Sequence, residues 1–409
     1  MLTRRAFLAG AAAGGTALGA GGLLVGCTSE NAPDVAPPNA PESFRGLRNG
    51  TLQTGILAAG SAYGLLASFR TVAAERSELG DTMRAVSEQI EVLSTGQHPE
   101  PLDAGLPPSD NGVLDDASAR LASATLSVGA SLFDDRFGLA DRRPVELVDM
   151  TRLANDRLDP ARTHGDMLLV LQASHPDVCV HALRRIMRET RGTLVLHWLL
   201  DTFTRPDEQP LGGQTKTRNL LGFKDGTANP DAAQDDLMDE VVWVRAGDGE
   251  PDWATGGTYQ AVRIIRMFVE HWDRTTLREQ EAIIGRHRGS GAPLGSDAET
   301  DIPNHVEDAT GEAIPLDAHI RLANPRDGSP ALMLRRGFSY ARGVDGSGQL
   351  DQGLAFVSYQ RRLDTFLQTQ QRLAGEPLEE YIVPEGGGFF FTLPGPGADG
   401  WLGQSLLEG

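Results

Sequence analysis

The strongest constraint on what this chain can fold into is a switch in hydrophobic period that occurs twice in the same order. Over residues 64–74, Leu65, Ala67 and Phe69 alternate with more polar neighbours, the period of a strand with one buried face. Leu79, Met83, Val86, Ile90 and Leu93 then recur every three or four residues, one stripe of an amphipathic helix. Strand patterns follow near 122–130 and 166–174. Pro176 opens a second helix at the first turn, where its missing N–H is harmless, and 192–198 reads as a fourth strand. The second half repeats the order: a strand at 258–269, a helix at 275–286 and strands at 331–340 and 354–359. A helix carrying Leu363, Phe366, Leu367 and Leu373 and a strand at 388–393 complete it.

Two βαββαβ orders predict an α+β fold of two ferredoxin-like modules, residues 44–205 and 206–409. Each would carry helices on one face of an antiparallel sheet, so joining them covers the open faces or leaves a cavity between them. The stretch 289–318 is long for a connection within a compact domain, and such loops tend to be functional.

Residues 1–27 read as an address. Arg4 and Arg5 precede an uncharged Ala/Gly/Leu run, the pattern of a twin-arginine export signal. The run is glycine-rich and marginal against the ~20 strongly apolar residues a membrane span needs. Leu24-Val-Gly-Cys27 resembles a bacterial lipobox that would lipidate Cys27; simple cleavage nearby is the alternative. Residues 28–43 are proline-rich and polar, a tether. The expected location is extracytoplasmic, in the periplasm or at the cell surface. Net charge is −19, and −21 once Arg4 and Arg5 leave with the signal. That balance argues against nucleic acid or an anionic membrane as partner. Cys27 and Cys179 are the only cysteines, too few for a disulfide framework, and Cys179 lies on an apolar helical face as a packed thiol.

Chemistry concentrates in three places. Gly222-Phe-Lys-Asp-Gly226 holds Asp225 between two glycines, residues that let the backbone turn tightly or pass close to a ligand. His319 sits where the long loop ends and an apolar strand is about to start. Leu334-Arg-Arg-Gly-Phe-Ser-Tyr340 puts two cations on an apolar strand, facing opposite sides by the period of two. A cation turned into an apolar interior needs an anion nearby. No histidine pair has zinc-hydrolase spacing, and no Walker, Rossmann or Gly-x-Ser-x-Gly loop occurs.

Together with Asp317-Ala-His-Ile-Arg-Leu-Ala-Asn-Pro325 and Gly353-Leu-Ala-Phe-Val-Ser-Tyr359, these motifs resemble the dye-decolorising peroxidases. The likeness is greatest to the twin-arginine-exported bacterial branch associated with iron uptake, and it spans about residues 50–405. The resemblance implies a duplicated ferredoxin-like fold with one haem b in the second module. It implies His319 as proximal haem-iron ligand, Asp225 as distal carboxylate and Arg335 as distal arginine, with Arg336 as the alternative. Leu354 and Phe356 would line the distal side, and Gly226 and Thr227 would also contact the haem. Arg263 would meet a haem propionate, and Asp399 stands as the candidate carboxylate behind the histidine.

The resemblance further implies reduction of hydrogen peroxide and oxidation of phenolic or dye-type donors through a ferryl (compound I) cycle. Trp198, Trp253, Trp272, Tyr340 and Tyr359 are relay candidates, each equally readable as a core aromatic. An aspartate stays unprotonated down to low pH and can serve as base in acid where a histidine could not, so Asp225 as base predicts an acidic optimum. The alternative function is iron acquisition, by releasing iron from haem or oxidising ferrous iron for a transporter; a non-catalytic haem carrier is a third reading. The chain is expected as a homo-oligomer or a monomer.

Overall fold

The computed structural model describes residues 50–96, 103–114, 120–205, 217–329 and 331–409. The export signal, the tether and Cys27 lie outside the described residues. The first repeat forms β1 (Tyr63–Thr71), α1 (Arg76–Thr95), β2 (Ser123–Gly129), β3 (Met167–Ala173), α2 (Pro176–Glu189) and β4 (Leu194–Phe203). The second forms β5 (Thr258–Met267), α3 (Leu277–Ile284), α4 (His319–Ala323), β6 (Phe338–Val344), β7 (Leu350–Gln360), α5 (Leu363–Leu373) and β8 (Ile382–Thr392).

Within each repeat the fourth strand lies beside the first, the first beside the third and the third beside the second, all antiparallel. That shared order is the ferredoxin-like arrangement. β8 then pairs with β2 (Phe390 with Gly129) and β4 meets β6 (Phe203 with Ser339), so eight strands close into a ring. Closure leaves this ring no free edge.

Alternation along the strands sorts the side chains into two layers. Leu66, Leu168, Val170, Trp198, Val262, Phe338 and Phe390 pack inside the ring. Leu65, Leu126, Leu169 and Phe391 face outward, under α1, α2 and α5. The stripe anticipated on α1 is buried as read, and Gly96 ends that helix with φ 72°, a left-handed turn suited to glycine. On α5, Phe366 is fully buried, its ring 5.9 Å from Phe356 and 5.6 Å from Phe389. Removing such a side chain from water stabilises by about 1.5–3 kcal/mol.

Two readings change. The strand expected over 331–340 breaks into Leu334–Arg335 and β6, interrupted at Arg336 and Gly337. His319 opens a short helix rather than leading into a strand. Cys179 is buried as anticipated, and burial pushes its thiol up to about 12.

Candidate active site

A cavity of about 270 Å³ lies between β5 and β7, α4 and α5, and the segment around Asp225. A single water needs only about 10–15 Å³, so this is room for an organic group. Residues 153–156 bring a wall from the first repeat, which sequence reasoning did not foresee.

His319 projects from the first turn of α4. Its Nδ1 donates to Glu376 Oε2 at 2.8 Å, and Nε2 has no partner among the described residues. The imidazole side chain is 34 % accessible, at the cavity, whereas that of Glu376 is only 4 %. A carboxylate so deeply buried is expensive without a hydrogen-bond donor, and His319 supplies it. Burial lowers the imidazole pKa, but the charge and hydrogen bond of Glu376 outweigh it and hold the value above the ordinary one. Glu376 is therefore the carboxylate behind His319, correcting Asp399. Asp399 is exposed in a Pro/Gly-rich turn. Glu376 comes into place because α5 ends at Leu373 and Gly375 turns the chain with φ 82°. The Gly-Glu-Pro after an amphipathic helix is a legible turn, but nothing in it names a partner 57 residues away.

Asp225 stands in a two-residue ladder, Lys224–Asp225 against Thr217–Arg218. Gly222 and Gly226 take φ values of 85° and 84°, the left-handed conformations that the glycine pair anticipates. Glu299, from the long loop, fixes the segment: it accepts from Lys224 Nζ at 2.5 Å and from Thr227 Oγ1 at 2.8 Å. Arg335 lies on the short strand paired with β7, opposite Ser358, which turns its side chain to the same face as Leu354 and Phe356. Asn229 clamps it, accepting from Arg335 N at 2.8 Å and donating to Arg335 O at 2.9 Å. One asparagine thus ties the Asp225 segment to Arg335, a link the sequence did not announce.

Asp225 and Arg335 both open on the cavity shared with His319, and no ion pair joins them. Both fields reach the imidazole, Arg335 lowering and Asp225 raising its proton affinity. Arg336 faces the opposite side of the strand and lies outside this cavity, in keeping with the alternation. Arg263 lines the wall, but its guanidinium is paired with Asp156, both groups being buried. Arg326 also lines the cavity, has φ 59°, and its guanidinium has no partner among the described residues. Burial lowers its pKa. Trp198, Trp253, Trp272, Tyr340 and Tyr359 are between 0 and 7 % accessible, so none offers a surface end for a relay.

The residues fit a haem on their own terms: an imidazole with Nε2 free, apolar walls from Ile265, Leu354 and Phe356, and an unmatched arginine for a propionate. An imidazole braced by a buried carboxylate shares an apolar cavity with an aspartate and an arginine, a set of groups that suits haem-peroxidase chemistry. Residues 53–204 match the N-terminal domain of the Dyp-type peroxidases, and 216–396 match their C-terminal domain. The chain belongs to that family. It is similar to a deferrochelatase of Shigella flexneri serotype 5b, 47 % identical over 386 residues, covering 93 % of this chain and 91 % of the relative. Among solved structures it resembles ferric DtpA from Streptomyces lividans, with TM-score 0.79, 33 % identity and 91 % and 100 % of the two chains covered. A DyP-type peroxidase from Cellulomonas bogoriensis gives 0.78, 34 %, 88 % and 97 %.

Proposed function

We propose that the protein binds haem b through His319 Nε2 and reduces hydrogen peroxide with Asp225 and Arg335 as its distal groups, oxidising phenolic or dye-type donors. The observation that carries this reading is the meeting of four side chains far apart in sequence, His319, Glu376, Asp225 and Arg335, around one cavity. When bound, haem would supply the redox-active iron that reacts with peroxide. Glu376, by accepting from Nδ1–H, fixes the ring's tautomer and raises the basicity of Nε2. Asp225 would serve as the general base and then the general acid that moves the proton of peroxide entering the cavity. Such transfer is worth roughly 10²–10⁴ in rate. Arg335 stabilises the negative charge that develops on the departing oxygen. Leu354 and Phe356 keep the pocket apolar, and Arg326 would pair with a propionate.

The test is an absorption spectrum of purified protein before and after one equivalent of peroxide. A Soret band that shifts with peroxide, is lost in His319→Ala and reacts far more slowly in Asp225→Asn is the expected result; an unchanged band would overturn the assignment.

The relatives named deferrochelatase favour a second reading, release of iron from haem. Metal-free porphyrin in the mass spectrum after incubation with haem would support it. The twin-arginine motif supports export to the periplasm or cell surface, where an iron-transport system would be a partner.

A further inference from the structure

A second cavity, about 100 Å³, adjoins the first and shares Asn219, Asp225, Gly226, Arg335, Leu354 and Phe356 with it. At roughly 10–15 Å³ per water, it holds a small ion with its hydration. It reaches from the Asp225–Arg335 pocket around the strand break at Gly337 to Gln172 and Thr204 at the end of the barrel. Its charge is unbalanced. Three guanidinium groups line it, those of Arg218, Arg335 and Arg336, against the single carboxylate of Asp225.

The three arginines differ in what holds them. Arg218 is spent on backbone, donating to the carbonyls of Gly222, Arg288 and Gly289. Arg335 belongs to the pocket already described. Arg336 shares the inward parity of Phe338 and Tyr340, so it enters the barrel end, where its Nε donates to Ile56 O at 3.1 Å. Among the described residues its two Nη nitrogens have no acceptor, and no carboxylate lies within ion-pair distance. Burial pulls its pKa down to about 10, which still leaves the group charged at neutral pH. Arg336 is partly accessible, yet its guanidinium is drawn out of bulk water without a carboxylate beside it, and that imbalance is unfavourable. The protein is acidic overall, so surplus carboxylates were available, yet among the residues lining this cavity only Asp225 carries one.

We propose that Arg336 anchors a subsite for a small monovalent anion, halide- or nitrite-sized, beside the distal pocket. The anion supplies the missing counter-charge through the free Nη groups. The surplus positive charge draws it in, as clefts lined by one sign of charge do. The inference rests on the chain's own residues and stands whether or not the haem reading does.

The probe is bromide. Crystals of the haem-loaded protein grown with sodium bromide should show an anomalous peak at hydrogen-bond distance from the Arg336 guanidinium. That peak should vanish in Arg336→Gln and persist in Arg335→Gln. In solution, bromide should raise Tm by about 2 °C over sodium gluconate at equal ionic strength, saturating in the millimolar range. Arg336→Gln should lose that increment, and Arg336→Lys, which keeps the charge, should retain it. A peak on Arg335 or on iron instead would overturn the proposal. Equal stabilisation of wild type and Arg336→Gln would do the same. A peak at Arg336 with no saturable shift in solution means an adventitious ion only, and also counts against it. The Soret band of each sample reports haem loading separately, and the wild-type peak and shift decide the question if neither variant folds.

Discussion

Glu376 is the residue whose role the structure changes most. It is buried, its one described side-chain partner is His319 Nδ1, and its distance of 2.8 Å is that of a charge-assisted hydrogen bond. Replacing it by glutamine keeps shape and burial but removes the charge. Glu376→Gln is expected to retain haem while slowing reaction with peroxide by about 10–100-fold, measured by stopped-flow at the Soret band. Unaltered kinetics would mean that the contact is structural. Asp225→Asn is expected to lose roughly 10²–10⁴ in the same step and Arg335→Leu about 10²–10³, each with haem content unchanged. Cys179 offers a prediction of another kind. Its thiol is raised to about 12 by burial, against 9.0 for an ordinary cysteine. A neutral thiol in the fold and a thiolate in the unfolded chain make its stabilisation complete below pH 9.0 and progressively lost as pH rises toward 12. The denaturation midpoint of wild type should therefore fall more steeply between about pH 9 and 11 than that of Cys179→Ala.

Among elements, the short strand Leu334–Arg335 and the helix α5 carry the site. The strand is only two residues long, so its pairing with β7 alone is a weak hold on Arg335. Asn229 supplies both remaining backbone bonds. Asn229→Ala should leave haem binding and the Soret maximum in place yet lower the rate of peroxide reduction by about tenfold, a misplacement effect. An identical rate would show that the strand holds Arg335 unaided. Helix α5 joins the two outer surfaces of its module through Phe366, which touches a cavity wall on one side and β8 on the other. Phe366→Ala should destabilise the protein by about 3–5 kcal/mol, read from the shift in denaturant midpoint at constant slope.

For the whole molecule, ring closure sets what the site can be. Because the fourth strand of each repeat meets the second strand of the other, the two inner faces become one interior and the ligand cavity is displaced to the outside of the sheet, under α4 and α5. The same closure puts Arg335 and Arg336, neighbours in sequence, on opposite sides of a wall, one facing His319 and the other the barrel end. Residues 153–156 from the first repeat complete the cavity.

Local rules were enough for much of this. Period and turn chemistry specify the βαββαβ order, the buried stripe of α1 and the left-handed glycines around Asp225, because each depends on residues close in sequence. His319, Asp225 and Arg335 stood out for the same reason, as reactive groups set among residues that cannot ignore them. Glu376 behind His319, Asp156 on Arg263, the Asn229 clamp and the unmatched charge of Arg336 were decided only in three dimensions. Each is a pairing, or a missing one, between groups that only the folded chain brings within hydrogen-bond reach, and a buried charge is stable or unstable according to what stands there.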